Sequence, residues 1–530
     1  MKTKILLGCI LSLAIVVNSC SDLLEEDPKG KLTPVTYFST LDELNMAVYS
    51  LYEKVMKTKN DTDMALPNWQ GDDITTHPAS NKQAAAEFDR FAPADNNKGV
   101  IRCWEVHMTL IKAANYIILN ADRTPTTDAE KNNAIGQARY WRAYAYFTLV
   151  RVWGPLPLNL DNVIVYDTPL SSVQDVYNLI IEDLKYCEAN LPTNHTAAPR
   201  KLNGVNVYIT SQAAKSTLVA VYMAMAGYPL NKGAEYYGLA KDKAKEIIDG
   251  CAAGTYEYVF QPDMTKVYAP SNNYNNETCV GINYSGAFTW GQDSQLTSTN
   301  FFESIGGWGD AWGAIKFWKE MPEGVRKDTY YNPKILVANR EGNDLVDWWA
   351  MNGEHPYFPE RHPMMSVFTV GPGDTDYDYT KRASEDMTNG HRHRLIRYAE
   401  ILLWYAESQA RADGAPNALA YECINKVRNR AGLADLPTGM SGDDFAEAAF
   451  TEHGWEVAGY YVGMVTRRAD LFRMDRLKDV FASRLANVGV EVAPGVVLTE
   501  TIVPSGSWND NLNYAPYPYR DASLNPNLKR

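Results

Sequence analysis

Indole rings flanked by amides and carboxylates are the residues of this sequence best suited to hold a ligand. The clearest case is the segment at 68–73, Asn-Trp-Gln-Gly-Asp-Asp, in which Trp69 stands beside Asp72 and Asp73. An indole offers a flat apolar face for stacking, and the neighbouring side chains can exchange hydrogen bonds with hydroxyl groups. The chemistry expected here is reversible binding of a molecule with an apolar face and a polar rim, such as a sugar ring.

A second group of tryptophans lies in the central part of the chain, where asparagine, glycine and tyrosine accumulate. Trp290, Trp308 and Trp312 fall between about 254 and 390, where the regular periodicity is lost. Long loops on a rigid scaffold commonly carry binding residues. The whole chain has 13 Trp and 33 Tyr, but such rings also fill cores and protein interfaces. Packing is therefore the alternative for each of them.

Other kinds of chemistry have weaker signals. Asp374, Asp376, Asp378 and Glu385 match ligand positions of a calcium loop, but Tyr379 replaces the required glycine, which favours a solvated acidic loop. The cysteines are scattered without a C-x-x-C pair, so no metal site is predicted. Paired catalytic carboxylates have no local motif, so a surface glycoside hydrolase stays an alternative. We predict no catalytic residue and no cofactor.

Helical periodicity dominates the chain on both sides of the central region. Thr40 and Glu43 form a capping box ahead of an apolar stripe. Further stripes run through residues 104–118, 134–152, 173–187, 214–225, 237–247, 395–405 and 420–431. Short turns and alanine-rich stripes indicate closely packed antiparallel helices. We predict a mainly α protein of tetratricopeptide-like helical pairs, an α-α superhelix, with long loop and short-strand excursions.

The first residues have the layout of a lipoprotein leader. Lys2 and Lys4 precede an apolar run that is too short to span a bilayer, and Ser19 directly precedes Cys20. We predict a signal peptide at 1–19, an acylated Cys20 and an acidic tether at 20–35. The alternative is an ordinary secretory signal with an incidental cysteine.

The rest of the chain is expected to form a single domain at 36–530. Its helical scaffold is predicted at about 36–250 and 391–490, and its loop-rich, ligand-binding excursion at about 254–390. The net charge of -13 disfavours nucleic acid as a partner.

Three blocks in the helical regions carry a family resemblance. Residues 137–158 read QARYWRAYAYFTLVRVWGPLPL, residues 397–407 read RYAEILLWYAE and residues 424–433 read INKVRNRAGL. Together with the lipoprotein leader, these blocks resemble the SusD/RagB family of nutrient-uptake lipoproteins. The family's late Glu- and Arg-rich block is only partly matched at 452–473, where extra residues leave the helix register open.

The resemblance implies a tetratricopeptide-like core whose loops form a glycan site and which docks on a SusC-like TonB-dependent transporter of the outer membrane. It also implies a cell-surface lipoprotein held to the outer membrane by its lipid anchor. The residues nominated for ligand binding are Trp69, Asp72, Asp73, Trp290, Trp308 and Trp312. The recurring Arg139, Arg142, Arg397, Glu400 and Arg428 look like helix caps and ion pairs between helices.

Two other classes of function remain open. A surface glycoside hydrolase would release products from a polysaccharide. A structural lid or interaction protein would bind the transporter without any affinity of its own for sugars.

Overall fold

The computed structural model describes residues 37–162, 165–287, 292–300, 307–338, 343–351, 361–368, 376–380 and 388–529. The predicted leader and tether lie outside these residues.

The first helices are α1 (Leu41–Lys57), α2 (Gln83–Asp89), α3 (Lys98–Asn120), α4 (Asp128–Trp153), α5 (Val173–Asn190), α6 (Ser211–Ala226) and α7 (Ala234–Ala252). The later ones are α8 (Leu296–Asn300), α9 (Ile315–Glu320), α10 (Val325–Tyr330), α11 (Tyr398–Asp413), α12 (Ala418–Arg430), α13 (Gly442–Glu456), α14 (Arg467–Arg473), α15 (Leu477–Ala486) and α16 (Tyr519–Leu524).

Local capping sets the ends of the long helices. The Thr40 side chain accepts a hydrogen bond from the backbone N–H of Glu43, and Glu43 caps the first turn in return, which confirms the predicted capping box of α1. Ser172 and Thr210 cap α5 and α6 in the same way. Helix α4 ends at Gly154, whose φ of 71° only glycine adopts readily.

The long helices pack as consecutive pairs. Helix α3 packs on α4, α4 on α5, and α6 on α7. Helix α11 connects the helices before the central region with those after it, because it packs on α7 as well as on α12 and α13. The architecture is therefore mainly α, with tetratricopeptide-like helical pairs, as the sequence predicts.

The strands of the described residues form short antiparallel pairs of two strands each. In chain order they are β1 (Ile74–Thr75), β2 (Leu156–Pro157), β3 (Leu170–Ser171), β4 (Lys201–Leu202), β5 (Val205–Asn206), β6 (Thr278–Ile282), β7 (Trp312–Gly313), β8 (Ile335–Ala338), β9 (Asn343–Val346), β10 (His393–Arg397), β11 (Val490–Ala493) and β12 (Val496–Leu498). Strand β1 pairs with β7 and β6 with β10, whereas each of the other strands pairs with its neighbour in sequence. The two long-range pairs tie the central region to the helices.

The helical stripe predicted to begin at Leu395 is wrong in its first residues. Leu395 lies in the buried strand β10, and α11 begins at Tyr398. The backbone N–H of Arg397 donates to the Glu400 carboxylate at 2.8 Å, which caps the helix at that point. The strand forms because β6, more than a hundred residues earlier, supplies its hydrogen-bond partners.

The recurring arginines make ion pairs between helices, as predicted. Arg142 on α4 donates twice to Asp183 on α5, at 2.8 Å for each bond. Arg139 reaches the same carboxylate at 3.1 Å. Arg428 on α12 donates to Glu452 on α13 at 3.0 Å. The two-bond pair of Arg142 in particular fixes the relative rotation of α4 and α5.

The described part of the chain has no helix with the length and apolar character needed to cross a bilayer. Its five cysteines are free thiols, and four of them are buried. Within the same residues, no group of three or more His, Cys, Asp or Glu side chains is arranged to hold a metal ion.

Candidate functional site

Two of the nominated tryptophans are core residues. Trp69 is 0% exposed and its ring lies 5.0 Å from that of Tyr461. Trp312 is 1% exposed and is flanked by the rings of His77 and His362, at 5.0 and 5.2 Å. A ring with no exposed face has no surface on which to stack a ligand, so the prediction of ligand stacking for Trp69 and Trp312 is corrected to packing.

Asp73 is also buried, and it joins separate loops. Its carboxylate accepts the backbone N–H of Gly459 at 2.9 Å, and its carbonyl accepts that of Ala314 at 3.0 Å. Burial, reinforced by the adjacent negative charge of Asp72, raises the pKa of Asp73 to about 7. Asp73 is therefore a structural carboxyl group, which corrects its nomination as a direct ligand contact.

Asp72 points the other way, into a cleft of about 1020 Å³. The Arg467 guanidinium donates to both oxygens of its carboxylate, at 2.8 and 2.9 Å. Although burial disfavours the charge of Arg467, the Asp72 carboxylate raises the pKa of this guanidinium above its usual value. The result is a fixed, planar array of donors and acceptors at the cleft wall.

Helices α9, α14 and α15 and the start of β11 supply most of the rest of the cleft. Phe317, Leu471 and Val480 give it an apolar portion. Its polar groups include Ser483, which accepts a hydrogen bond from Lys316 Nζ at 2.9 Å. A volume of this size matches sites for oligomeric small ligands, and apolar patches bordered by oriented polar groups suit molecules with hydroxylated edges.

Arg484 fixes the loop that carries Asp72. Its guanidinium is buried and donates to the carbonyls of Asp89 and Ile74, at 2.8 and 2.9 Å, and also to that of Gly71. Burial lowers the pKa of Arg484. These bonds connect α15 with the loop that carries Asp72. The two walls of the cleft therefore keep a fixed relative position.

The remaining nominated residues do not line this cleft or lie outside the described chain. Trp308 is half-buried and is not among the residues of the cleft. Trp290 lies outside the described residues, as do Asp374 and Glu385 of the acidic segment. Asp376 of that segment accepts from Lys266 Nζ at 2.8 Å.

Sequence reasoning missed most of the cleft. Arg467 and Ser483 lie on consecutive helices, but Phe317 and Asp72 are far from them in sequence, and no local motif connects these residues. The one available signal was the mismatch to the family pattern at 452–473. There the chain leaves α13 at Glu456 and begins α14 at Arg467, and the intervening turn places Arg467 against Asp72.

Two protein-family models match this chain, one in its C-terminal part and one in its N-terminal part. A model of the SusD family matches residues 363–530. A second model, described as starch-binding and associating with the outer membrane, matches residues 22–223. The two ranges together span well over half of the chain.

Individual relatives agree with these matches. A SusD-like protein of Bacteroides ovatus is 26% identical over 489 residues, covering 88% of this chain and 82% of its own length. A solved SusD homolog of Bacteroides thetaiotaomicron has a TM-score of 0.73 at 18% identity, with 93% of this chain and 97% of that one covered. A structure solved with a xylogluco-oligosaccharide has a TM-score of 0.70 at 21% identity, with 92% and 98% covered.

Fold and comparisons together define the class as α-helical, tetratricopeptide-like proteins with loop excursions. The chain belongs to the SusD family.

Proposed function

We propose that this protein binds a glycan at the cell surface and delivers it to a SusC-like TonB-dependent transporter without breaking any bond. Membership of the SusD family supports the proposal, as does the relative solved with a xylogluco-oligosaccharide. A further structural neighbour is surface glycan-binding protein A of Bacteroides uniformis, with a TM-score of 0.70 at 20% identity over 92% of this chain and 98% of that one.

The observation that carries the proposal is the Asp72–Arg467 pair in the wall of the large cleft. A carboxylate and a guanidinium fixed side by side can exchange hydrogen bonds with neighbouring hydroxyls of a sugar, at little entropic cost because they are already ordered. Phe317 supplies an apolar surface in the same cleft. We propose Asp72 as a ligand contact and retain Trp308 as a second, separate contact.

We propose capture without catalysis, which agrees with the structural neighbours described as a surface glycan-binding protein and as a complex with a xylogluco-oligosaccharide. Hydrolysis would require a pair of carboxyl groups placed on either side of the glycosidic bond. The hydrolase alternative is tested by incubating the protein with polysaccharides and measuring new reducing ends. We expect none, and their appearance in proportion to protein would establish catalysis.

A binding screen with one steric variant tests the cleft. The protein from Ser21 onward is titrated with a panel of soluble oligosaccharides by calorimetry, and the positive ligands are repeated with Ser483→Trp. The added indole would occupy the cleft, so we expect the Kd to rise at least about tenfold, equivalent to about 1.4 kcal/mol.

Ala482→Trp is the matched control, because Ala482 is exposed on the same helix and does not line the cleft. We expect it to bind as the unmodified protein does. Equal binding by both variants would move the glycan site away from the cleft. Loss of affinity in Trp308→Ala alone would then place the site at the central loops.

A further inference from the structure

A second, much smaller cavity lies behind the cleft and is lined by positive charges. It has a volume of about 30 Å³ and lies between the segment Thr62–Gln70, helix α4 and the residues around the start of α14. Lys59, Arg151 and Arg468 all line it, and all are buried, with 4%, 7% and 2% exposed. Three buried cations at one small cavity repel each other unless an anion is present.

Lys59 is the least satisfied of the three cations. Within the described residues, no oxygen accepts a hydrogen bond from its Nζ, although a buried ammonium group normally makes several. Arg151 donates Nε to the Phe147 carbonyl at 2.8 Å and lies over the Phe147 ring. Arg468 donates to the carbonyls of Arg151 and Asn513, at 2.6 and 2.7 Å.

No carboxylate lines the cavity among the described residues. Asp470, whose charge acts on Arg151, is already bound by Arg473 and His453. Burial also raises the pKa of the lining thiol Cys103 to about 12, so this thiol supplies no negative charge. No carboxylate of the described residues therefore forms a direct ion pair with Lys59, Arg151 or Arg468.

The pKa values agree with an uncompensated cluster. Burial and the charge of Arg151 lower the pKa of Lys59 to about 8. Burial lowers the pKa of Arg151 to about 10, and burial together with Arg151 lowers that of Arg468 to about 9. A bound anion would reverse these shifts, because it stabilises the charged form of each group.

We propose that this cavity is a binding site for one small monovalent anion of halide size, held by Lys59, Arg151 and Arg468. The volume sets the size, since about 10–15 Å³ of such space holds one water molecule, and the cavity of about 30 Å³ therefore suits an ion only slightly larger than water. The lining groups are otherwise neutral, among them Met64, Thr148, Met464 and Thr466.

A bound anion would stabilise the helix that carries the cleft residue Arg467. Arg467 faces the cleft and binds Asp72, whereas its neighbour Arg468 faces the cavity. An anion bound to Arg468 would hold the first turn of α14 and the segment Thr62–Gln70 together. This role is independent of which ligand the cleft takes.

Bromide provides a direct test on the full folded protein. Crystals grown with sodium bromide and measured at the bromine absorption edge are expected to show an anomalous peak within hydrogen-bonding distance of Lys59 Nζ and the guanidinium of Arg151. Absence of a peak at this position, in crystals that show bromide elsewhere, would overturn the proposal.

Thermal unfolding tests the same site in solution. At constant ionic strength, replacing gluconate by chloride is expected to raise the Tm by about 2 °C, through preferential binding to the folded state. Lys59→Met should abolish this rise, whereas Lys112→Met, an exposed lysine on α3, should keep it. A rise of the same size in Lys59→Met would contradict the assignment. If Lys59→Met does not fold, the bromide measurement on the unmodified protein decides whether the cavity binds an anion.

Discussion

Asp73 links the pH dependence of stability to the loop beneath the cleft. Its pKa of about 7 exceeds the ordinary value of 3.8, so the folded state binds a proton that the unfolded state releases. The contribution of Asp73 to the free energy of unfolding is therefore fully present below about pH 4 and is lost as the pH rises through about 7. Asp73 thus makes the free energy of unfolding decrease as the pH rises towards 8. We expect Asp73→Asn to remove this decrease, and its free energy of unfolding to exceed that of the unmodified protein by about 1–2 kcal/mol at pH 8.

Urea unfolding between pH 5 and 8 measures the effect of Asp73→Asn. Asp479→Asn, an exposed carboxylate at the cleft, is the control and should keep the slope of the unmodified protein. An identical slope in Asp73→Asn would show that Asp73 is already ionised in the folded state at pH 5.

His453 has the opposite kind of environment, between two carboxylates. Burial disfavours its charge, but Asp470 and Glu400 outweigh burial and raise the pKa of His453 to about 9. The contribution of His453 to the free energy of unfolding is therefore complete below about pH 6.5 and is lost as the pH rises through about 9. His453→Gln should cost about 2–4 kcal/mol at pH 7, because it removes the shared cation from two buried carboxylates, and Asp470 then keeps only its ion pair with Arg473.

Chemical unfolding of His453→Gln and the unmodified protein at pH 7 and pH 10 checks this prediction. The difference in the free energy of unfolding should shrink at pH 10, where His453 is neutral. A difference that is the same at both pH values would assign the cost to packing.

At the scale of elements, Gly227 is needed where α6 meets α14. A Cβ at this position would overlap the carbonyl oxygen of Arg473, which accepts the N–H of Tyr228 at 2.7 Å. We expect Gly227→Ala to lower the free energy of unfolding by about 1–3 kcal/mol, since the two backbones cannot separate without breaking this bond.

Gly238→Ala is the matched control on the next helix, α7. A Cβ there meets nothing within 4 Å, so the variant should be stabilised by about 0.5–1 kcal/mol, as for glycine-to-alanine changes within helices. Calorimetric or denaturant unfolding of both variants measures the contrast. Equal effects would contradict the proposed close contact at Gly227.

At the scale of the whole molecule, the proposed surface location depends on Cys20. In cells, the unmodified protein should incorporate labelled palmitate and be removed from intact cells by added protease. Cys20→Ala should lose the label and most of its membrane association, because a single-leaflet lipid anchor is the only direct attachment to the bilayer that we propose. Retention of Cys20→Ala in the outer membrane at the unmodified level would contradict acylation as the anchor.

The sequence by itself determined most of the long helices, several of their caps and the family resemblance. These follow from interactions within a few residues, such as the Thr40–Glu43 box and the stop at Gly154, or from motifs that are contiguous in the chain. The strand at His393–Arg397 was missed because its partner is β6, and local periodicity carries no information about a partner so far away.

Only the tertiary structure decided which polar and aromatic residues face solvent. Neighbouring positions 72 and 73 have opposite environments: Asp72 lines the cleft with Arg467, whereas Asp73 is buried against Gly459. Likewise, Trp69 has the polar neighbours of a binding residue in sequence but packs on Tyr461 in the core. Composition fixes what a side chain can bind, whereas its exposure depends on how distant segments pack around it.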